Sequence, residues 1–148
     1  MKFSNIFLLI FLYLTTACNA QKKMVEIVNC SKGNTGFKGI VPKEDMYKPH
    51  QGKDFYAISF KATKKCTVEI VSLTVKENDT QIFLKPLFDN GVIKKAFATG
   101  ENGYLRVEKE ENAPVLKPYI KGAGRLVLKI NGKKNVLAIE KFDMILPQ

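Results

Sequence analysis

His50 is the one histidine in a chain of 148 residues, and it sits in the turn-forming run Lys48-Pro49-His50-Gln51-Gly52-Lys53. A loop imidazole can serve as a general base, but no Gly-x-Ser-x-Gly elbow supplies a nucleophile for it to activate. A single histidine also cannot assemble a histidine-rich zinc or iron site. The carboxylates offer no better constellation. Glu108, Glu110 and Glu111 crowd together, yet neighbouring residues on a strand end alternate faces and the spacing is not that of a calcium loop or a glycosidase pair. Gly33-Asn34-Thr35-Gly36-Phe37-Lys38-Gly39 is glycine-rich, but it lacks the Gly-Lys-Ser/Thr ending of a phosphate-binding loop and no helical pattern follows it. Tryptophan, the commonest stacking platform for sugars, is absent, which leaves Tyr47, Tyr56, Tyr104 and Tyr119 for that chemistry. The expectation is a protein without metal or cofactor that binds rather than catalyses. A hydrolase using Asp, Glu or Tyr in an unrecognised arrangement is the enzymatic alternative.

The N-terminus carries a different kind of chemistry. Lys2 gives a short positive region, Ile6 to Leu14 form an uncharged apolar run, and Thr15, Thr16 and Ala17 are small. This is the three-part layout of a secretory signal, and the run is about half the roughly 20 residues that a spanning helix needs. Leu14-Thr15-Thr16-Ala17-Cys18 resembles a bacterial lipobox. The resemblance covers residues 1–18 and implies that Cys18 receives a diacylglyceryl thioether and becomes the first mature residue, tying the chain to a membrane. Cys18-Asn19-Ala20 before Gln21 also fits an ordinary signal-peptidase site, which would release a soluble periplasmic or secreted protein. The expected organisation is a leader over 1–18, a tether over 19–23 and one domain over 24–148.

Both cleavages take Cys18 out of the thiol pool and leave Cys30 and Cys66 as an even pair in an oxidising compartment. The expectation is a Cys30–Cys66 disulfide closing a loop of about 37 residues, with roughly 4 kcal/mol of chain-entropy stabilisation. Two buried thiols are the alternative.

The formal charge is +10, of which the leader's Lys2 contributes one, leaving +9 on the mature part. Such a surface attracts anionic lipid, nucleic acid or acidic polymers without selecting among them. The positive residues are nearly all lysine, with Arg106 and Arg125 the exceptions, whereas bidentate readout of guanine or phosphate favours arginine. Pairs such as Lys22-Lys23, Lys64-Lys65, Lys94-Lys95 and Lys133-Lys134 recur along the chain, as solvated strand edges and turns would. No specific nucleic acid is expected. The partners expected are a membrane through a lipid on Cys18, an envelope protein, or an anionic envelope polymer.

At 45% hydrophobic and 26% charged residues the chain is globular in composition, and short β-branched and aromatic runs broken by Gly, Asn, Asp and Pro mark an all-β domain. Strands are expected over Met24 to Asn29, Asp54 to Ala62, Cys66 to Lys76, Thr80 to Leu84, Gly103 to Glu108 and Pro114 to Ile120. Val92 to Ala98, after the turn signal Asp89-Asn90-Gly91, fits a strand or a helical turn. In Cys66 to Lys76, Val71, Leu73 and Val75 share one face while Val68 and Ile70 fall on the other, the mark of a bulge or of burial on both sides. Arg125 to Ile130, Asn131-Gly132 and Asn135 to Ile145 read as a hairpin with a type I′ turn. Seven or eight strands without alternating helices predict an antiparallel, Ig-like β-sandwich, with a small β-barrel as the alternative.

The irregular segment 30–53 holds Gly33, Gly36, Gly39, Pro42, Pro49 and Gly52, and loops this long usually have a functional or covalent reason. Phe37, Tyr47, His50 and Phe55, in or beside it, are the candidate binding residues. A covering loop whose aromatics plug one end of the domain is the competing reading. The chain as a whole reads as an exported envelope module. Its rival is a small basic inhibitor secreted to block an acidic enzyme.

Overall fold

Aromatic and β-branched residues alternate with small or polar ones through Asp54–Ala62, and this alternation sets the centre of the structure. Tyr56, Ile58, Phe60 and Ala62 enter the core from one face of that strand, and Lys61 stays exposed on the other. The computed structural model describes residues 23–35, 52–116 and 120–145. The expected leader with Cys18, most of the expected tether, Phe37, Tyr47, His50 and Tyr119 lie outside those residues.

The strands in chain order are β1 (Val25–Asn34), β2 (Asp54–Ala62), β3 (Cys66–Glu77), β4 (Thr80–Leu84), β5 (Leu87–Phe88), β6 (Lys94–Phe97), β7 (Asn102–Glu108), β8 (Val115–Leu116), β9 (Gly124–Ile130), β10 (Lys133–Ile139) and β11 (Asp143–Met144). They form two sheets, one ordered β11-β1-β2-β7-β5 and the other β10-β9-β3-β4-β8, with β6 also pairing with β3. The described residues contain no helix and no closed barrel, so the barrel alternative is set aside. Buried side chains from both sheets form one apolar cluster between them, a sandwich-like arrangement. At its centre the rings of Phe60, Phe88 and Phe97 pack with centroids 5.2 to 6.1 Å apart, where each fully buried side chain stabilises the fold by roughly 2 kcal/mol.

Local chemistry explains most of the boundaries. Ile70 pairs with Leu128 and Ser72 with Val127, which leaves Val71 as an extra residue 43% exposed. This bulge switches the phase of β3, so that Val68, Ile70, Leu73 and Val75 all reach the same core. Asn131 and Gly132 take φ values of 49° and 79°, as the two-residue turn between β9 and β10 requires.

Four expectations need correction. β1 continues to Asn34 across a bulge between Ile27 and Asn29, so the irregular segment is shorter than 30–53. Among the described residues of Pro114 to Ile120, the strand is the two-residue β8. Asn135 to Ile145 is not one strand: β10 stops at Ile139, and β11 crosses to the other sheet to lie parallel to β1. Cys30 and Cys66 are free, buried thiols, and the expected bridge is not formed. Cys30 pairs with Ile58, whereas Cys66 follows Ala62 and begins a strand of the opposite sheet. Ile58 to Ala62 alone spans about 13 Å of strand, and a disulfide needs Cα atoms about 4.4–6.8 Å apart.

Candidate functional site

β1 ends beside the start of β2, with Asn34 opposite Asp54, and the strand ends around that pole hold a polar cluster centred on Glu77. Glu77, at the end of β3, accepts hydrogen bonds from the Tyr56 hydroxyl, from Lys32 Nζ at 2.9 Å and from Lys109 Nζ. Lys32 also lies 3.9 Å from Asp54 and 5.3 Å from the centre of the Tyr56 ring. Burial alone would raise the Glu77 pKa, but the hydrogen bonds from Lys109, Tyr56 and Lys32, with the Lys32 charge, hold it down at about 2. The Tyr56 phenol is displaced upward, first by burial and then by its bond to Glu77. Burial, with Asp143 adding to it, raises Cys30 to about 11. Each of these groups is pushed further into its resting protonation state and away from neutrality. The cluster therefore clamps one sheet to the other.

Of the candidate binding residues, Phe55 is the one described, and it is covered rather than presented. Its ring lies across Gly33, where any Cβ would collide with it, and the Arg106 guanidinium sits 4.0 Å from the ring centre. Farther along the same sheet, Val28, Ser59, Asp89, Lys95, Asn102, Gly103 and Tyr104 line a shallow cavity of about 300 Å³. Tyr104 is 40% and Val28 63% exposed. The pairing of Ser59 with Tyr104 brings β2 and β7 together there, and the Asp89 amide bonds to the Tyr104 carbonyl. The sequence marks Tyr104 as a stacking residue. Asp89, Lys95 and Asn102 carry no such mark, because long-range strand pairing alone assembles them.

At the opposite pole, β1 begins beside the end of β2, with Val25 opposite Ala62. The β2–β3 turn carries Lys64 and Lys65, β6 carries Lys94 and Lys95, and the β9–β10 turn leads into Lys133 and Lys134. Cys66 pairs with Phe97 and Val68 with Ile130, so these turns and strand ends cluster at one end of the molecule. Lys23, Lys61 and Lys129 add to it, against Glu26, Glu69 and Glu101. The carboxylates gather at the other pole, as Asp54, Glu77, Asp79, Glu108, Glu110, Glu111 and Glu140. Strand direction thus converts lysine pairs scattered in sequence into a basic end.

Neither family models, curated proteins nor solved structures give a match to this chain.

Proposed function

We propose that the chain is an exported, non-enzymatic envelope module, lipid-anchored through Cys18, whose Ig-like sandwich binds a partner. The observation that carries this reading is the direction of the displaced ionisations: Glu77 at about 2, Cys30 at about 11 and Tyr56 shifted upward. A general acid or base works best with its pKa near the operating pH, and these groups serve packing instead. The Ig-like assignment draws support from strand order. Lettered in sequence as A, B, C, C′, D, E, F and G, strands β1, β2, β3, β4, β5, β7, β9 and β10 give A-B-E-D in one sheet and G-F-C-C′ in the other, the immunoglobulin arrangement. Ile58, Phe60, Leu126 and Leu128 supply apolar side chains to the core from the strands that a cystine joins in antibody domains.

The trough around Tyr104 is the partner-facing surface in this reading. It sets an exposed aromatic ring and Val28 among the hydrogen-bonding groups of Ser59, Asp89, Asn102 and Lys95, a combination suited to an envelope protein or an anionic polymer.

The anchoring is tested by the intact mass of the mature protein from membrane and soluble fractions. A lipid-modified chain beginning at Cys18 in the membrane fraction supports it. An unmodified soluble chain beginning at Gln21 overturns it and moves the secreted-inhibitor reading forward. Hydrolysis by the purified protein with a pH optimum near neutrality, lost in Tyr104→Phe or Glu77→Gln, would overturn the non-enzymatic reading.

A further inference from the structure

We infer that the lysine-rich pole is a docking surface for an anionic lipid bilayer, which holds the domain upright with the Glu77 pole turned away from the membrane. Lys64 and Lys65 on the β2–β3 turn, and Lys133 and Lys134 at the start of β10, are all exposed at this end. The nearby Glu69 and Glu101 are already engaged, with Lys129 at 3.3 Å and Lys95 at 3.9 Å, which leaves those four lysines without a described carboxylate partner. The turns at this end are only two and three residues long and present charge on a blunt end. A blunt cationic end matches a plane of phosphates better than it matches a protruding ligand. Lysine suits this role, because its ammonium acts as a point charge and needs no bidentate partner.

The course of the chain provides an independent argument. The Thr63 hydroxyl donates to the Lys23 carbonyl at 2.6 Å and the Thr63 amide donates to the Met24 carbonyl at 2.9 Å. The start of β1 is thereby fixed beside Lys64 and Lys65, at the basic pole. Resting on the anchoring reading for this step alone, the five residues that follow Cys18, through Lys23, reach at most about 18 Å. That is roughly two Debye lengths at physiological salt, so the anchor delivers the lysines to the surface potential of an anionic leaflet. Each lysine close to such a surface strengthens binding by roughly fivefold.

The test uses exported protein carrying Cys18→Ser, which is unlipidated, so its outcome is separate from that of the anchoring reading. Sedimentation with vesicles of phosphatidylcholine, alone or mixed with phosphatidylglycerol, is measured at low and physiological ionic strength. Binding is expected with the anionic vesicles only and should weaken as salt rises. Lys64→Ala with Lys65→Ala, or Lys133→Ala with Lys134→Ala, should weaken it by roughly thirtyfold. Lys121→Ala with Lys141→Ala, away from this pole, should leave it within about twofold. Equal losses from all three pairs would show that net charge alone drives binding and would overturn the inference. So would no binding to anionic vesicles at low salt, or binding to soluble polyphosphate that depends on Lys64 and Lys133 while vesicle binding does not.

Discussion

Tyr56 donates its phenolic hydrogen to Glu77 across the space between the two sheets, so one hydrogen bond ties β2 to β3 at the pole where Asn34 faces Asp54. The Tyr56 ring also meets Phe142 edge to face at 5.0 Å, which anchors the chain between β10 and β11. Tyr56→Phe keeps the ring and removes the donor. It should cost about 2 kcal/mol of stability by urea unfolding, the range for a hydrogen bond to a charged group. A loss indistinguishable from zero would mean that water replaces the phenol without penalty.

Glu77 gives that pole an acid dependence. Its folded-state pKa of about 2 lies below the ordinary 4.5, so its contribution is fully present above 4.5 and is lost as pH falls through about 2. The shift corresponds to about 3 kcal/mol across that window. Urea midpoints of the native chain should fall over this interval more steeply than those of Glu77→Gln. The variant is also less stable at neutral pH, because Lys32 and Lys109 lose their counter-charge. Parallel acid profiles for the two proteins would remove Glu77 from this role.

Local signals carried much of the fold. Asp54–Ala62 and Thr80–Leu84 form the strands expected of them, and Asn131-Gly132 makes the hairpin turn, because alternation and positive φ are properties of short segments. The phase change at Val71 was legible too, as a bulge or as burial on both sides, and the register shift between Ile70 and Ser72 makes it a bulge. What escaped depends on register between distant strands. Counting cysteines says nothing of height along a strand, so Cys30 and Cys66 looked like a pair although one pairs with Ile58 and the other with Phe97. Lys64-Lys65 and Lys133-Lys134 looked scattered because their convergence follows from chain reversal. The Tyr104 trough was hidden for the same reason, since β5 and β7 must pair before Asp89 and Tyr104 can meet.

Two unbridged thiols make a chemical prediction. Both cysteines are buried, and Cys30 is raised to about 11, so little thiolate exists at neutral pH. Iodoacetamide should leave the native domain almost unlabelled and should label Cys30 and Cys66 together in denaturant without reductant. Protection that persists in denaturant until a reductant is added would reveal a bridge and contradict this arrangement.

Gly103 has little room for change. It sits in β7 opposite Phe60, and a Cβ at this position would collide with three atoms of that ring. Phe60 cannot yield, because it is fully buried and held by Phe88 and Phe97. Gly103→Ala should therefore cost about 3 kcal/mol, the upper range for overpacking a core. Gly91→Ala is the contrast: its φ of 77° is strained for alanine, but nothing lies within 4 Å. The cost there should be about 1 kcal/mol, from backbone conformation alone. Adding Phe60→Leu to Gly103→Ala relieves the collision, so the double variant should be less destabilised than the sum of the two single ones in urea unfolding. Strict additivity would mean that the backbone of β7 moves aside instead, and that the Phe60 ring is not what excludes a side chain at Gly103.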